Sequence, residues 1–267
     1  MSEGTEIGNV AAEIKRLAET LPEGRRPTPQ QIADHFASTV FTGGPPALFE
    51  QVGRESFITL LENGLYPYST LLDIGCGSLR LGYWLINFLN PACYYGIEPI
   101  RSMLEFGLTC FLDPAVAQAK RPAFDYNADF DLTVFGRRFD FLVARSIWTH
   151  VGKSQIGTML DGFAECAADG GVFLASYVPA AVGDGYARED FVATPLVEHG
   201  LEWVGRACAA RGLTVRQLPH VINKQPWLRI ERATGSIAAG LTRDERPPGA
   251  RERLRMMVRA ARGIAPG

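Results

Sequence analysis

Residues 66–99, YPYSTLLDIGCGSLRLGYWLINFLNPACYYGIEP, leave this chain few folds to choose from. Residues 69–74 form a short apolar run with an acid, Asp73, near its end, as suits a parallel strand covered on both faces. Gly75, Gly77 and Ser78 break the run, and Leu79, Leu81, Trp84, Leu85, Phe88 and Leu89 then recur at helical spacing. A strand that ends in glycine and gives way to a helix places bare backbone N–H groups at the carboxyl edge of a sheet, where open α/β sheets bind ligands. Asn90 and Pro91 stop the helix, and residues 94–97 make a second strand ending at Glu98, a carboxylate placed for paired hydroxyls such as those of a ribose. The unit reads as a nucleoside site.

Spacing separates three nucleotide chemistries. A dinucleotide fingerprint needs a third glycine where this chain has Arg80. A phosphate-binding loop needs lysine where it has Tyr83, and no serine or threonine follows for magnesium. What remains resembles motif I of the class I S-adenosylmethionine-dependent methyltransferases, with Leu79 standing where the commoner motif has a third alternate glycine. That resemblance implies an α/β Rossmann-like fold: a mostly parallel seven-stranded sheet, a closing antiparallel hairpin and an N-terminal helical lid. It also implies S-adenosylmethionine as cofactor, with Asp73, Gly75 and Gly77 at its methionine end and Glu98 on the ribose.

The resemblance continues through residues 71–177. Asp129, in AFDYNADFDLT, matches the position for the adenine amine with Phe130 near the ring, and Asp125 and Asp131 are its rivals. Residues 139–145 read as the next strand, and SIWTH lies just past its end. There the family pattern places Arg145 and Ser146 beside the cofactor, Trp148 as a wall for the acceptor and His150 as general base, since imidazole accepts a proton near neutrality. Tyr177 and Asp184 are reserve bases, and Tyr186 belongs with them to the expected acceptor region. Residues 152–167 read as a helix stopped by Asp169-Gly170-Gly171, and 172–177 as a strand.

Residues 178–195, rich in Gly, Ala and acid, read as a substrate loop or a linker. A helix over 196–210 follows, then strands at 213–218 and 227–232 around a loop holding Pro219 and Pro226. Ahead of the nucleotide unit, residues 10–18, 29–37 (capped by Thr28) and 48–65 have helical spacing. They form a lid or simply cover the sheet, and Arg54 is a candidate for the cofactor carboxylate. The chain thus divides into a helical segment 1–65, a catalytic domain 66–233 and an Arg-rich tail 234–267, which reads as solvated or as an arm for an anionic partner.

Composition narrows the function. A 46% hydrophobic content over 267 residues supports a substantial core, and a net charge of −2 gives no general attraction to nucleic acid. The five cysteines are odd in number and lack Cys-x-x-Cys spacing, which points to a reducing cytoplasm without disulfide framework or thiolate metal site. His35, His150, His199 and His220 are scattered, so no metal is expected. No apolar stretch is long enough for a signal peptide or a membrane span. The expected activity is methyl transfer to a small molecule, a hydroxyl first and an amine second. A non-catalytic S-adenosylmethionine-binding protein is the alternative, and oligomeric state is open.

Overall fold

The computed structural model describes residues 3–22, 25–40, 43–189, 191–192 and 194–233. The Arg-rich segment 234–267 lies outside the described residues. Seven strands form one sheet: β1 (Leu71–Ile74), β2 (Tyr94–Ile97), β3 (Ala123–Asp125), β4 (Phe139–Ala144), β5 (Ala167–Ser176), β6 (Leu213–Ile222) and β7 (Gln225–Arg232), in the order β3-β2-β1-β4-β5-β7-β6. β1 through β5 run parallel, and β7 enters antiparallel between β5 and β6. The strand order reverses between β1 and β4, which opens a crevice at their carboxyl ends.

Two apolar layers cover the sheet. On one face, α7 (Lys153–Cys166) and α8 (Leu201–Ala209) bury Ile156, Leu160, Phe163 and Val204 against Leu72, Ile74, Leu142 and Phe173. On the other, α3 (Phe49–Glu62), α4 (Gly82–Phe88), α5 (Arg101–Cys110) and α6 (Pro114–Lys120) supply Val52, Leu60, Leu85, Leu104 and the partly buried Val116 to a cluster with Leu71, Val143 and Trp227. The expected 1–65 helical segment therefore divides, because α3 belongs to the sheet's own covering layer. Among the described residues, the α-helices α1 (Glu3–Glu19) and α2 (Pro29–His35) stand outside it. They join a third cluster in which the Phe36 ring meets Phe106 edge-on at 5.2 Å and Phe49 stacks on Phe111 at 4.5 Å. Thr28 caps α2 as expected, its hydroxyl accepting from the Gln31 N–H at 3.2 Å.

Three local expectations change. Asp169-Gly170-Gly171 does not separate helix from strand: β5 already begins at Ala167, and these residues bulge out where its register against β4 shifts. The hairpin loop is only Asn223-Lys224, whose φ values of 49° and 61° suit a primed two-residue turn. Pro219 and Pro226 lie inside strands. Pro219 sits in the bulged part of β6, where a missing N–H interrupts no regular ladder. The helix expected from 196 starts at Leu201, because residues before it stay in the preceding loop.

Candidate functional site

The site is built on the turn after β1. Gly75 has φ 67°, and a β-carbon there would stand 2.1 Å from Ile147 Cδ1, so the turn closes against the β4 exit only with glycine. The N–H groups of Gly75 and Cys76 both donate to the Ile97 carbonyl at 2.8 and 3.1 Å, which keeps the turn on β2. Gly77 N–H then donates to Glu98 Oε2 at 2.9 Å, and Ile100 N–H donates to Glu98 Oε1 at 2.9 Å. Each carboxylate oxygen keeps acceptor capacity beyond that one bond. Leu79, which replaces the third glycine, holds φ 63° while fully buried. The loop thus keeps a left-handed backbone at a cost of about 1–2 kcal/mol, offset by the buried leucine side chain.

Both acids of the turn resist ionisation. Asp73 is 2% exposed and accepts the Tyr94 hydroxyl at 2.9 Å. Burial pushes its pKa up to about 7, opposed by the Tyr94 bond and reinforced by nearby Glu98. Glu98 is raised as well, burial outweighing its two backbone N–H donors. A ligand bringing positive charge to this turn would stabilise both carboxylates.

The three acids after β3 are distinguished by their bonds. Asp125 accepts from Asn127 N–H at 2.8 Å and Nδ2 at 2.7 Å, and Asp131 accepts from Thr133 N–H at 2.9 Å and Oγ1 at 2.6 Å. Asp129 is exposed and forms no hydrogen bond or ion pair among the described residues, so its carboxylate is available. Phe130 beside it is half-buried at φ 61° and rests on the core beneath β4.

At the exit of β4 a polar network crosses three strands. Arg145 Nη1 donates to Ser176 Oγ at 3.2 Å and to Gln225 Oε1, and Nη2 reaches the Ile222 carbonyl at 3.5 Å. Ser146, at φ 61°, donates its N–H to Ser176 Oγ at 2.7 Å, and Gln225 Nε2 donates to Ser146 Oγ at 3.0 Å. His150 Nδ1 lies 2.8 Å from the Val192 carbonyl, Val192 N–H returns to the His150 carbonyl at 2.7 Å, and the imidazole stacks on Phe191 at 5.7 Å. The segment between β5 and α8 is therefore tied to the β4 exit at His150, with Val197 N–H donating to the Thr149 carbonyl at 2.9 Å and Glu189 accepting from Ser154 N–H at 2.6 Å.

No protein-family model matches the sequence, and no curated protein sequence matches it. Solved structures do match. The magnesium protoporphyrin IX methyltransferase ChlM of Synechocystis PCC 6803, with bound SAH, is 17% identical with a TM-score of 0.54, over 76% of this chain and 98% of that one. The fold is that of the class I methyltransferases. The glycopeptide N-methyltransferase MtfA complexed with S-adenosyl-L-methionine (14% identical, TM-score 0.53, 67% of this chain and 94% of that one) has the same architecture. So does an O-methyltransferase family protein from Burkholderia thailandensis (14% identical, TM-score 0.53, 77% of this chain and 61% of that one).

Within this methyltransferase fold several expected acceptor residues are placed differently. Trp148 is fully buried in the core, edge-on to Phe173 at 5.9 Å, so it supports the β4 exit from below and cannot wall an acceptor. Tyr177 is fully buried and its hydroxyl donates to Gln217 Oε1 at 2.6 Å. Asp184 pairs with Arg206 on α8 at 2.6 Å, on the exposed surface. Neither reserve base faces the crevice. Tyr186 is half-buried and lines a groove of about 370 Å³ with Val192, Pro195 and Leu196. Arg54 is exposed on α3 and acts electrostatically on the Tyr83 hydroxyl.

Residues the sequence did not single out complete the site. Ser176, Gln225 and Thr149 hold the β4 exit, and Ile100 stands 51% exposed beside Glu98. Arg80, at the position where a dinucleotide fingerprint has glycine, donates to the Gly43, Gly44 and Pro45 carbonyls and lies over the Phe49 ring at 5.0 Å. It fastens the glycine turn to the loop leading into α3. Among the described residues no cluster of three or more metal-binding side chains occurs, and no helix is long and apolar enough to cross a membrane.

Proposed function

We propose that this chain is an S-adenosylmethionine-dependent methyltransferase acting on an oxygen of a small molecule, a hydroxyl on a sugar, lipid or secondary metabolite. The observation that carries the reading is Glu98: two backbone N–H groups from the turn and from the start of α5 aim its carboxylate while leaving acceptor capacity for paired ribose hydroxyls. Bound there, S-adenosylmethionine supplies an electrophilic methyl group on a positively charged sulfur. Asp73, poorly ionised by itself, faces the ammonium end, and the free Asp129 carboxylate takes the adenine amine. Ile100 and the half-buried Phe130 offer apolar surface for the ring. The helices α1 and α2 act as the lid.

Arg145 and Ser146, expected beside the cofactor, sit at the β4 exit, where cofactor and acceptor sides meet. In-line displacement depends chiefly on alignment and exclusion of water, and an alcohol additionally needs its proton removed. His150 suits that proton transfer, since its Nδ1–H donates to the Val192 carbonyl and leaves the Nε2 lone pair as acceptor. The five unpaired cysteines fit a reducing cytoplasm, and the acidic net charge favours a small acceptor over nucleic acid. An amine acceptor is the second reading, supported by the likeness to a glycopeptide N-methyltransferase. Calorimetry with S-adenosylhomocysteine, NADH and ATP tests the assignment. Micromolar binding of the first alone is expected, and tight NADH or ATP binding with no response to S-adenosylhomocysteine refutes it.

A further inference from the structure

Arg145 carries a charge that no described residue neutralises. It sits at the carboxyl end of β4, its Nη atoms bonded to the neutral oxygens of Ser176, Gln225 and Ile222, its guanidinium 5.9 Å from the Trp227 ring. It forms no ion pair among the described residues, and its Nε is buried without a partner. The weakest of its bonds, Nη2 to the Ile222 carbonyl at 3.5 Å, leaves that nitrogen's donors nearly unspent.

The surroundings add positive charge. Arg80, likewise without a carboxylate partner and with its Nε unsatisfied, is close enough to disfavour the charge on Arg145, and burial lowers Arg145 itself to about 9. Lys224 is exposed in the hairpin turn, two residues beyond Ile222. Among the acids of the described residues, Glu55 on α3 alone acts appreciably on Arg145, and it accepts from Gln51 Nε2 at 3.0 Å without pairing with the guanidinium. Asp73 and Glu98 are engaged within the turn. A guanidinium desolvated without a counter-ion is costly, and an oxyanion hydrogen-bonded to Nη2 offsets that cost.

We propose that the acceptor of this methyltransferase carries an oxyanionic group, a carboxylate or phosphate, that Arg145 holds at the exit of β4. The inference rests on the methyltransferase reading and narrows its acceptor to acidic molecules. Arg145 is then a specificity residue: it anchors the acceptor by its charge, beside the Ser146 backbone and away from the turn that takes the nucleoside.

The carboxylate of the cofactor's own amino-acid end has the same chemistry, so the test separates the two sources. Melting temperature is followed with sodium acetate as probe and acetamide as neutral counterpart, at fixed ionic strength, with and without saturating S-adenosylhomocysteine. For wild type with S-adenosylhomocysteine bound, acetate at about tenfold over its dissociation constant should raise the melting temperature by roughly 2–4 °C, and acetamide should not. Arg145→Gln should abolish that rise while S-adenosylhomocysteine affinity, by calorimetry, stays within about threefold. No acetate effect in wild type, or an equal one in the variant, overturns the proposal. An acetate effect that disappears once S-adenosylhomocysteine is bound, with its affinity reduced more than about tenfold in the variant, assigns Arg145 to the cofactor and also overturns it. Should Arg145→Gln fail to unfold cooperatively, Arg145→Lys replaces it: the charge without the guanidinium's Nη2 should weaken acetate about tenfold, and an unchanged response overturns the proposal. Failure of wild type to bind S-adenosylhomocysteine refutes the methyltransferase reading instead, and the acetate arm without it still decides the anion site.

Discussion

Asp73→Asn removes one ionisation from beneath the glycine turn while keeping the side chain's shape and an acceptor for the Tyr94 hydroxyl. The native carboxyl has its pKa raised from 3.8 to about 7, chiefly by burial. An acid raised in this direction binds its proton more tightly folded than unfolded, so its contribution is most favourable below the unfolded value and is lost as pH climbs toward the folded one. Between about pH 4.5 and pH 7 the loss amounts to about 3 kcal/mol at 1.4 kcal/mol per unit. Asparagine escapes it but buries an extra amide donor, which costs about 1–3 kcal/mol at any pH. The variant should therefore be less stable than wild type near pH 4.5 and equal to or more stable than it above pH 7, a change in the gap of about 3 kcal/mol. Urea melts of both proteins at intervals across that range measure it. A gap that stays constant with pH refutes the assignment of a poorly ionised Asp73. Saturating S-adenosylhomocysteine should flatten the wild-type dependence, because an ammonium beside Asp73 favours the carboxylate.

Glu98→Ala should weaken S-adenosylhomocysteine binding by about 1.5–3 kcal/mol, the value of hydrogen bonds to a charged group; calorimetry on a folded variant with unchanged affinity removes Glu98 from the ribose. Leu79→Gly should be more stable than Leu79→Ala by about 1 kcal/mol, the reverse of the usual order, because only glycine relieves the left-handed backbone. Both should be less stable than wild type, since each loses a fully buried side chain, and denaturant melts rank the three. His150→Ala should lower turnover by a factor on the order of 10²–10⁴ and remove a limb of the pH–rate profile, with S-adenosylhomocysteine affinity kept; a wild-type profile assigns the proton to another acceptor.

Where hydrophobic period and glycine punctuation agree, the fold can be read directly: β2 occupies residues 94–97 as expected, and β4 ends one residue short of the expected Arg145. The parallel order follows from strands alternating with helices. α6 escapes the hydrophobic period although Asp113 and Pro114 mark its start, Asp113 Oδ1 accepting from Ala115 N–H at 2.8 Å. The prolines of the hairpin mislead because proline normally marks a loop, whereas a bulge allows Pro219 inside a strand. Tyr177 is legible by a different rule: Phe173, Ala175 and Tyr177 alternate along β5 and share its core face. Its place just past a strand end suggests a ligand, and the period of two decides otherwise.

The acceptor side is less legible because its partners are distant in sequence. The family resemblance points to Arg145 and Ser146 as neighbours of the cofactor, but nothing local indicates that Gln225, 79 residues beyond Ser146, would bridge them through the β7 pairing. His150 illustrates how such contacts alter a role. Its ring nitrogen and its backbone carbonyl both engage Val192, so the side chain proposed as base is also the tether of the segment bearing Tyr186. The tether fixes the tautomer: with Nδ1–H spent on a carbonyl, only Nε2 can take a proton from an acceptor. On the proposed role of His150 as base, a shift of that segment that turns the imidazole would couple acceptor entry to proton removal through one residue. His150→Gln, which keeps a donor for the Val192 carbonyl but lacks a basic nitrogen, separates the two roles. Turnover lost as fully as in His150→Ala, with the same acceptor KM as wild type, identifies the base, whereas restored turnover identifies a tether alone.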